Sequence, residues 1–246
     1  RHDSRHHAWD DAGMDVATSY RRFLEALVDQ GFEGEVAPDY ANRTVLATDN
    51  SIYQRLPQAV LYPRGTEDLV RIAELAGREA FRQVVLAPRG GGTGTNGQSL
   101  TDGLVVDVSR HMNAILEIDV ARRRVRVQAG VVKDQLNAAL KPYGLFFAPE
   151  LSTSNRATLG GMIATDASGQ GSCEYGKTRD HVLELESVLL GGERLVSRPV
   201  DEFELAALCA RKDGVGRVHR VVRDILECEG ARIDETFPPL NRCLTG

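Results

Sequence analysis

The sequence contains few cysteines and no long apolar segment. Its four cysteines, Cys173, Cys209, Cys228 and Cys243, include no Cys-x-x-Cys pair, and they are too few and too scattered for a disulfide scaffold. We therefore expect free thiols and no metal site built from this chain alone. No apolar run approaches the roughly 20 residues of a membrane-spanning helix, which argues against a membrane span. Because no secretory signal is visible near the start, we expect a cytoplasmic protein.

Positive charge is not in excess either. Lys and Arg together number 30 against 35 Asp and Glu, a net charge of −5. No nucleic-acid partner is expected, because binding to phosphate backbones requires a basic face. The remaining composition, 42% apolar and 26% charged over 246 residues, is typical of one large or two small globular domains. Residues 1–7 hold three of the six histidines; a disordered leader over residues 1–13 is the expectation, and a metal site is the alternative.

The most informative stretch is the first motif, residues 87–98, which reads Ala-Pro-Arg-Gly-Gly-Gly-Thr-Gly-Thr-Asn-Gly-Gln. It lies between two apolar, strand-like runs at residues 84–86 and 104–108. Glycine lacks Cβ and reaches positive φ, so main-chain N–H groups can closely approach an anion. The motif therefore predicts a phosphate-binding loop. A surface hairpin loop is the alternative, since Gly and Asn also dominate ordinary turns.

Two well-known phosphate-binding loops do not fit the first motif. A Walker loop needs Lys and a hydroxyl residue after its last glycine, whereas Gln98 and Ser99 follow Gly97. Residues 92–97 formally match Gly-x-Gly-x-x-Gly, but residues 98–103 leave no room for the helix that a Rossmann fold places there. The remaining interpretation is a loop whose main-chain amides alone surround a pyrophosphate.

Two further motifs follow in order. The second motif combines Pro-Glu-Leu-Ser-Thr-Ser-Asn (residues 149–155) with Ala-Thr-Leu-Gly-Gly-Met-Ile-Ala-Thr-Asp-Ala-Ser-Gly (residues 157–169), and the third is Tyr-Gly-Lys-Thr-Arg-Asp-His-Val-Leu (residues 175–183). Together the three motifs resemble the FAD-binding domain of the vanillyl-alcohol oxidase and p-cresol methylhydroxylase type, over residues 40–196. The chain looks most like the D-2-hydroxyglutarate and D-lactate dehydrogenase branch, especially the large bacterial members with a downstream iron–sulfur domain.

The resemblance implies which residues contact FAD. From the first motif, the expected contacts are Arg89, Gly90, Gly91, Gly92, Thr93, Gly94, Thr95 and Asn96. From the second and third motifs, they are Pro149, Glu150, Leu151, Ser152, Thr158, Gly160, Gly161, Ala164, Thr165 and Val182. Two roles are equally open for Arg89: its positive charge contacts the pyrophosphate, or it forms a structural ion pair. Thr93 stands where covalently linked relatives carry His, so the resemblance implies non-covalent flavin.

No motif supplies a catalytic residue. His111 and His181 are expected to be structural, and Asp166 stands where many relatives carry Asn. In the resembled dehydrogenases, the substrate-binding histidines and the active-site metal, where present, belong to a C-terminal domain. We therefore expect an N-terminal fragment that does not oxidise a substrate alone, with any iron–sulfur cluster only in the missing downstream part.

The implied function is the FAD-binding portion of a flavoprotein dehydrogenase. It would oxidise a D-2-hydroxy acid of the D-2-hydroxyglutarate or D-lactate type by hydride transfer to FAD, with the small 2-hydroxy acid bound through the missing C-terminal domain. The alternative is a non-catalytic flavin-binding or assembly module that acts only with a partner subunit. A third possibility is a phosphate-binding regulatory domain without flavin.

The expected fold is α+β, a two-subdomain FAD-binding fold. An N-terminal helix and arm would occupy residues 14–57, a β-α-β subdomain residues 58–112, a mostly antiparallel sheet subdomain with flanking helices residues 113–200, and a helical extension of a truncated domain residues 201–246. Residues 40–57 are expected to form an irregular arm, and Thr66 is expected to be an N-cap. Strands are predicted at residues 84–87, at Phe146 and Phe147 (buried), and over residues 182–190 (central in a sheet). Helices are predicted over residues 202–211 and 215–229, with Cys228 packed against its neighbours.

Overall fold

The computed structural model describes residues 16–237 and has the expected α+β architecture. Its strands are β1 (Glu35–Ala37), β2 (Ala59–Tyr62), β3 (Leu86–Arg89), β4 (Leu104–Asp107), β5 (Ile115–Asp119), β6 (Arg124–Val127), β7 (Leu185–Val188) and β8 (Arg194–Ser197). Its α-helices are α1 (Thr18–Asp29), α2 (Tyr40–Val45), α3 (Thr66–Ala76), α4 (Lys133–Leu140), α5 (Leu159–Ala164), α6 (Ser172–Tyr175), α7 (Glu202–Ala210) and α8 (Gly214–Thr236). The predicted leader at residues 1–13 and Cys243 lie outside the described residues.

A four-stranded sheet with the order β1-β2-β4-β3 forms the first part of the fold. β2 and β3 both run parallel to β4, while β1 is antiparallel to β2. Every residue of β2 and β4 is buried, as expected for parallel strands with both faces covered. Side chains of α1 and α3, such as Phe23, Leu27 and Leu75, pack with Leu61 and Leu104 in the main core.

Local details of this part differ from the sequence predictions. Thr66 is not the N-cap of α3 but its first residue, because Gly65 takes the cap position without a side-chain bond. The buried carboxylate of Asp68 instead accepts the N–H groups of Arg64 and Glu33, each at 2.9 Å. β3 starts at Leu86 rather than at residue 84, since the Val84 N–H donates to the Phe81 carbonyl at the end of a 3-10 turn.

The arm over residues 40–57 is not wholly irregular. Its first six residues form α2, because Asp39 caps the helix by accepting the Asn42 N–H at 3.0 Å. This bond and a second one from the Asn42 side chain lower the pKa of Asp39.

The second part of the fold has the predicted antiparallel pairing but no large sheet. β5 pairs with β6 and β7 with β8, each pair forming a two-stranded sheet of its own. The prediction of a central strand over residues 182–190 is therefore wrong: Leu183 and Leu190 lie outside β7 and are exposed. The predicted buried strand at Phe146 and Phe147 is absent too, because the Phe147 N–H donates to Asn137 Oδ1 at 2.7 Å and the Phe146 side chain is exposed.

The two helices predicted over residues 202–211 and 215–229 are confirmed as α7 and α8. α8 continues to Thr236, beyond the predicted end at residue 229. Its apolar side chains are largely uncovered: Val221, Val222, Ile225 and Leu226 are exposed. Cys228 is likewise exposed rather than packed. Within residues 16–237, none of the helices combines the length and the apolarity that a transmembrane span requires.

Candidate functional site

The candidate site lies at one edge of the parallel strands. The carboxyl ends of β3 and β4 meet there, and ligands of open α/β sheets bind outside such ends. Residues 90–97, here called the glycine loop, follow β3, and residues 109–113 follow β4. Because β3 and β4 are parallel, the segment between them is a crossover, so the hairpin alternative is wrong. Residues 90–103 contain no helix, which excludes the Rossmann interpretation.

The main chain of the glycine loop offers unused hydrogen-bond donors. Within residues 16–237, the N–H groups of residues 90–95 donate to no acceptor, and the next one, of Asn96, donates to Gln98 Oε1 at 3.1 Å. Gly92 and Gly97 have φ of +62° and +72°, which L side chains rarely adopt. Consecutive free amides in a turning loop form an anion-binding concavity.

The glycine loop packs directly on the second motif. A Cβ atom on Gly90 would overlap Thr158 Oγ1, and one on Gly91 would overlap the carbonyl oxygen of Arg156. Thr158 is buried and caps α5, where its Oγ1 accepts the Gly161 N–H at 3.4 Å. Two motifs that are far apart in the sequence therefore form one continuous surface.

A cleft of about 270 Å³ opens where these segments meet. Gly91, Ser109 and Asn113 line one part of it, and Asn155, Arg156 and Thr158 line another. No carboxylate side chain is among its lining residues. The cleft is thus polar and carries positive charge, which suits an anionic group.

Arg89 is not among the residues that line this cleft, although its guanidinium packs against Gly92 of the glycine loop. Its guanidinium donates to the carbonyl oxygens of Leu46 (3.2 Å) and Thr48 (2.7 Å), and the residue is only 7% exposed. Burial lowers the pKa of Arg89, while Asp107 and Asp49 act in the opposite direction. Of the two roles left open, the contacts favour the structural one, with carbonyl oxygens rather than a carboxylate as acceptors.

The segment at residues 49–53 is attached to the glycine loop. The Asn50 N–H donates to the Gly92 carbonyl at 3.1 Å. The Tyr53 ring lies beside Gly97, and Ser99 Oγ donates to Asp49 Oδ2 at 3.3 Å. These contacts join the segment at residues 49–53 to the glycine loop and to Ser99 just after it.

A buried lysine holds the first half of the second motif. Lys133 is 2% exposed, and its Nζ lies 3.2 Å from Glu150 Oε2. The Glu150 carbonyl oxygen packs so closely on Gly169 that a Cβ there would overlap it. Sequence reasoning missed Lys133, although it shares the buried stripe of α4 with Leu136 and Leu140. Of the four expected contacts, Pro149 is buried, Leu151 is half-buried, and Glu150 and Ser152 are exposed.

The two glycines of α5 have different surroundings. Gly160 packs on Ala129, whose carbonyl accepts the Gly160 N–H at 2.8 Å. Gly161 is exposed, together with Ala164 and Thr165 one turn later. Gly160 therefore has the packing role, and the other three leave one face of α5 open to a ligand.

The third motif closes against the end of the second. Thr178 is fully buried and donates its hydroxyl to the Ala167 carbonyl at 2.6 Å. The Arg179 N–H donates to Asp166 Oδ1 at 3.0 Å. The Val182 N–H donates to the Arg179 carbonyl at 3.3 Å, and the Val182 carbonyl accepts no hydrogen bond within residues 16–237.

Both singled-out histidines have structural contacts, as expected. His111 Nε2 lies 2.7 Å from Glu35 Oε1, and His181 Nε2 lies 2.7 Å from the Tyr175 carbonyl oxygen. His111 thereby ties the segment after β4 to β1, and His181 closes the third motif on itself.

Comparison with known proteins identifies the fold. The "FAD binding domain" family matches residues 57–197, more than half of the chain. The chain belongs to this FAD-binding domain family. This confirms the resemblance drawn from the three motifs.

The curated relatives that the chain matches are longer than the chain. The chain is 69% identical over 230 residues to D-2-hydroxyglutarate dehydrogenase of Pseudomonas putida, covering 94% of this chain and 23% of that protein. It is 56% identical over 225 residues to the Escherichia coli enzyme of the same name, covering 91% and 22%. A mitochondrial cytochrome-type D-lactate dehydrogenase of Arabidopsis thaliana is 30% identical over 186 residues, covering 72% and 32%. The chain thus spans less than a quarter of the first two relatives.

Solved structures share the architecture of the FAD-binding domain. An alkyldihydroxyacetonephosphate synthase superposes with a TM-score of 0.66 at 22% identity, covering 78% of this chain and 37% of that one. The 6-hydroxy-D-nicotine oxidase of Arthrobacter nicotinovorans gives 0.61 at 24% identity, covering 71% and 38%. At these identities the likeness shows the fold alone.

Proposed function

We propose that the chain is the FAD-binding part of a dehydrogenase that oxidises D-2-hydroxyglutarate. The observation that carries the proposal is the set of free main-chain amides at residues 90–95, which face no acceptor within residues 16–237. The much higher identity to D-2-hydroxyglutarate dehydrogenases than to the D-lactate enzyme favours the former substrate.

The residues present fit a dinucleotide diphosphate. In this proposal, the glycine loop binds the pyrophosphate through its amides, and the absence of Cβ at Gly90 and Gly91 allows the second motif to pack beside it. The exposed face of α5, with Gly161, Ala164 and Thr165, and the segment at residues 149–152 contact the rest of the cofactor. The carbonyl of Val182 is the adenine contact.

Bound FAD supplies a hydride acceptor, which no side chain can provide. The reaction removes a hydride from C2 of the 2-hydroxy acid and a proton from its hydroxyl, which leaves a 2-oxo acid and reduced flavin. This chain's residues contribute binding and orientation: Lys133 holds Glu150 through their ion pair, and Thr178 anchors the third motif on the second. Thr93 offers no ring nitrogen for a covalent link, so the cofactor stays non-covalent.

The substrate-binding groups belong to the rest of the enzyme in this proposal. No catalytic residue is assigned to residues 16–237. The small 2-hydroxy acid, an iron–sulfur cluster and a cytoplasmic location stay predictions, as do the boundaries at residues 58–112 and 113–200.

The test uses the whole natural protein in which this chain occurs, under anaerobic conditions. D-2-hydroxyglutarate should bleach the visible absorbance of the bound flavin, while the L enantiomer should not. Bleaching by D-lactate in preference to D-2-hydroxyglutarate would overturn the substrate. Bound flavin that neither acid bleaches would favour the non-catalytic flavin-binding module instead.

A further inference from the structure

We infer that Arg156 supplies the positive charge that binds the diphosphate of FAD. The sequence motifs alone suggest a different arginine, Arg89, for this role. The inference rests on the proposed function, because it names a further residue of the same site. Arg156 lies between the two halves of the second motif, and none of the three motifs contains it.

The first argument is the availability of the side chain. Arg89 is committed, since its guanidinium is buried and donates to two carbonyl oxygens. The Arg156 side chain is exposed and makes no ion pair or hydrogen bond within residues 16–237. A guanidinium without a carboxylate partner can give both of its N–H edges to phosphate oxygens.

The second argument is position. Arg156 lines the cleft, and its own carbonyl oxygen touches Gly91, in the run of free amides. The side chain is therefore attached at the point where the glycine loop meets the second motif. It is also close enough to Arg89 to lower the pKa of that residue, in the same direction as the larger effect of burial. A bound anion would offset this repulsion between the two guanidinium groups.

The third argument is that other polar groups of the cleft are occupied. Ser109 Oγ donates to Asp107 Oδ1 at 2.7 Å, and Asn113 Nδ2 donates to the carbonyls of Ser109 and Arg110. Gln135 and Asn155 also line the cleft, but both are uncharged. Main-chain amides carry only partial charges, and Arg156 is the one described residue lining this cleft whose side chain carries a full positive charge.

The test compares FAD affinity in the whole natural protein and three variants, after the flavin has been removed. Arg156→Gln should weaken FAD binding by about tenfold to a hundredfold, the range for a hydrogen bond to a charged group. Arg156→Lys should recover part of the loss, because it keeps the charge but not the planar fork. The control is Arg124→Gln, which removes another exposed arginine, on β6, that makes no side-chain bond within the described residues.

The salt dependence separates a charge from a structural effect. The difference between Arg156→Gln and wild type should shrink as salt is raised, because salt screens an exposed charge. An Arg156→Gln variant that binds FAD as tightly as wild type would overturn the inference and leave the proposed function intact. A loss that is equal at all salt concentrations would overturn it as well. If the wild-type protein itself takes up no FAD, the proposed function fails together with the inference.

Discussion

The main chain of Gly91 lies against the carbonyl oxygen of Arg156 so closely that a Cβ atom would overlap it. This contact joins the glycine loop to the second motif, although the two are far apart in the sequence. Gly91 does not have positive φ. Its requirement for glycine is therefore a packing requirement, and the position of the free amides at residues 90–95 depends on it.

Gly91→Ala should weaken FAD binding strongly, because the new methyl group must push the glycine loop and residues 153–158 apart. Overpacking of this kind costs about 1–3 kcal/mol, so the melting temperature should fall too. The matched control is Gly65→Ala, since a Cβ on Gly65 meets nothing within 4 Å. FAD affinity that is the same in both variants would refute the packing argument.

Arg89→Gln should destabilise the fold. It leaves the carbonyls of Leu46 and Thr48 without their donor, and each lost bond of a charged group costs about 1.5–3 kcal/mol. The free energy of unfolding from urea titration measures this, with Arg124→Gln as the control. If Arg89→Gln were as stable as wild type yet bound FAD less tightly, Arg89 and not Arg156 would be the phosphate ligand.

Lys133 and Glu150 should behave as a coupled pair. Glu150→Gln leaves the buried ammonium of Lys133 without a carboxylate, and Lys133→Met removes that charge. We expect Glu150→Gln to cost about 2 kcal/mol, less than for a fully buried pair because Glu150 is half exposed. The double variant should be more stable than the sum of the single changes predicts. Additive free energies of unfolding would show that the ion pair is not a coupled unit.

The flavin should leave the protein on denaturation. The expectation comes from Thr93, which has no ring nitrogen and which, by the family resemblance, stands where covalently linked members carry His. Precipitation with acid should release all flavin into the supernatant, as measured by fluorescence. Flavin that stays with the washed precipitate would mean that another residue forms a covalent link.

Much of the fold could be predicted because local patterns determine it. Phe23, Leu24 and Leu27 have helical spacing and form the buried face of α1. Gly31 ends that region with φ of +81°, a conformation that favours glycine. The three motifs identify the site because glycine, cap and turn residues occur there in a fixed order.

Other features depend on tertiary neighbours that a local pattern does not contain. The apolar run at residues 182–190 is compatible with a central strand. In the structure, however, β7 pairs with β8 alone among the described residues, so it is an edge strand of a two-stranded sheet. Arg89 is the last residue of β3, a position that suits a phosphate ligand, but its guanidinium donates to the carbonyls of Leu46 and Thr48. Arg156 became visible as a candidate only when the fold brought it beside Gly91.

The central claim is that the glycine loop and the second motif together bind FAD. The most direct measurement is an equilibrium titration of the flavin-free whole protein with FAD, followed by flavin fluorescence, for wild type and Gly91→Ala. The account predicts one saturable FAD per chain, competition by inorganic pyrophosphate, and a large loss of affinity in Gly91→Ala. Absence of saturable binding, or equal affinity of the two proteins, would contradict it.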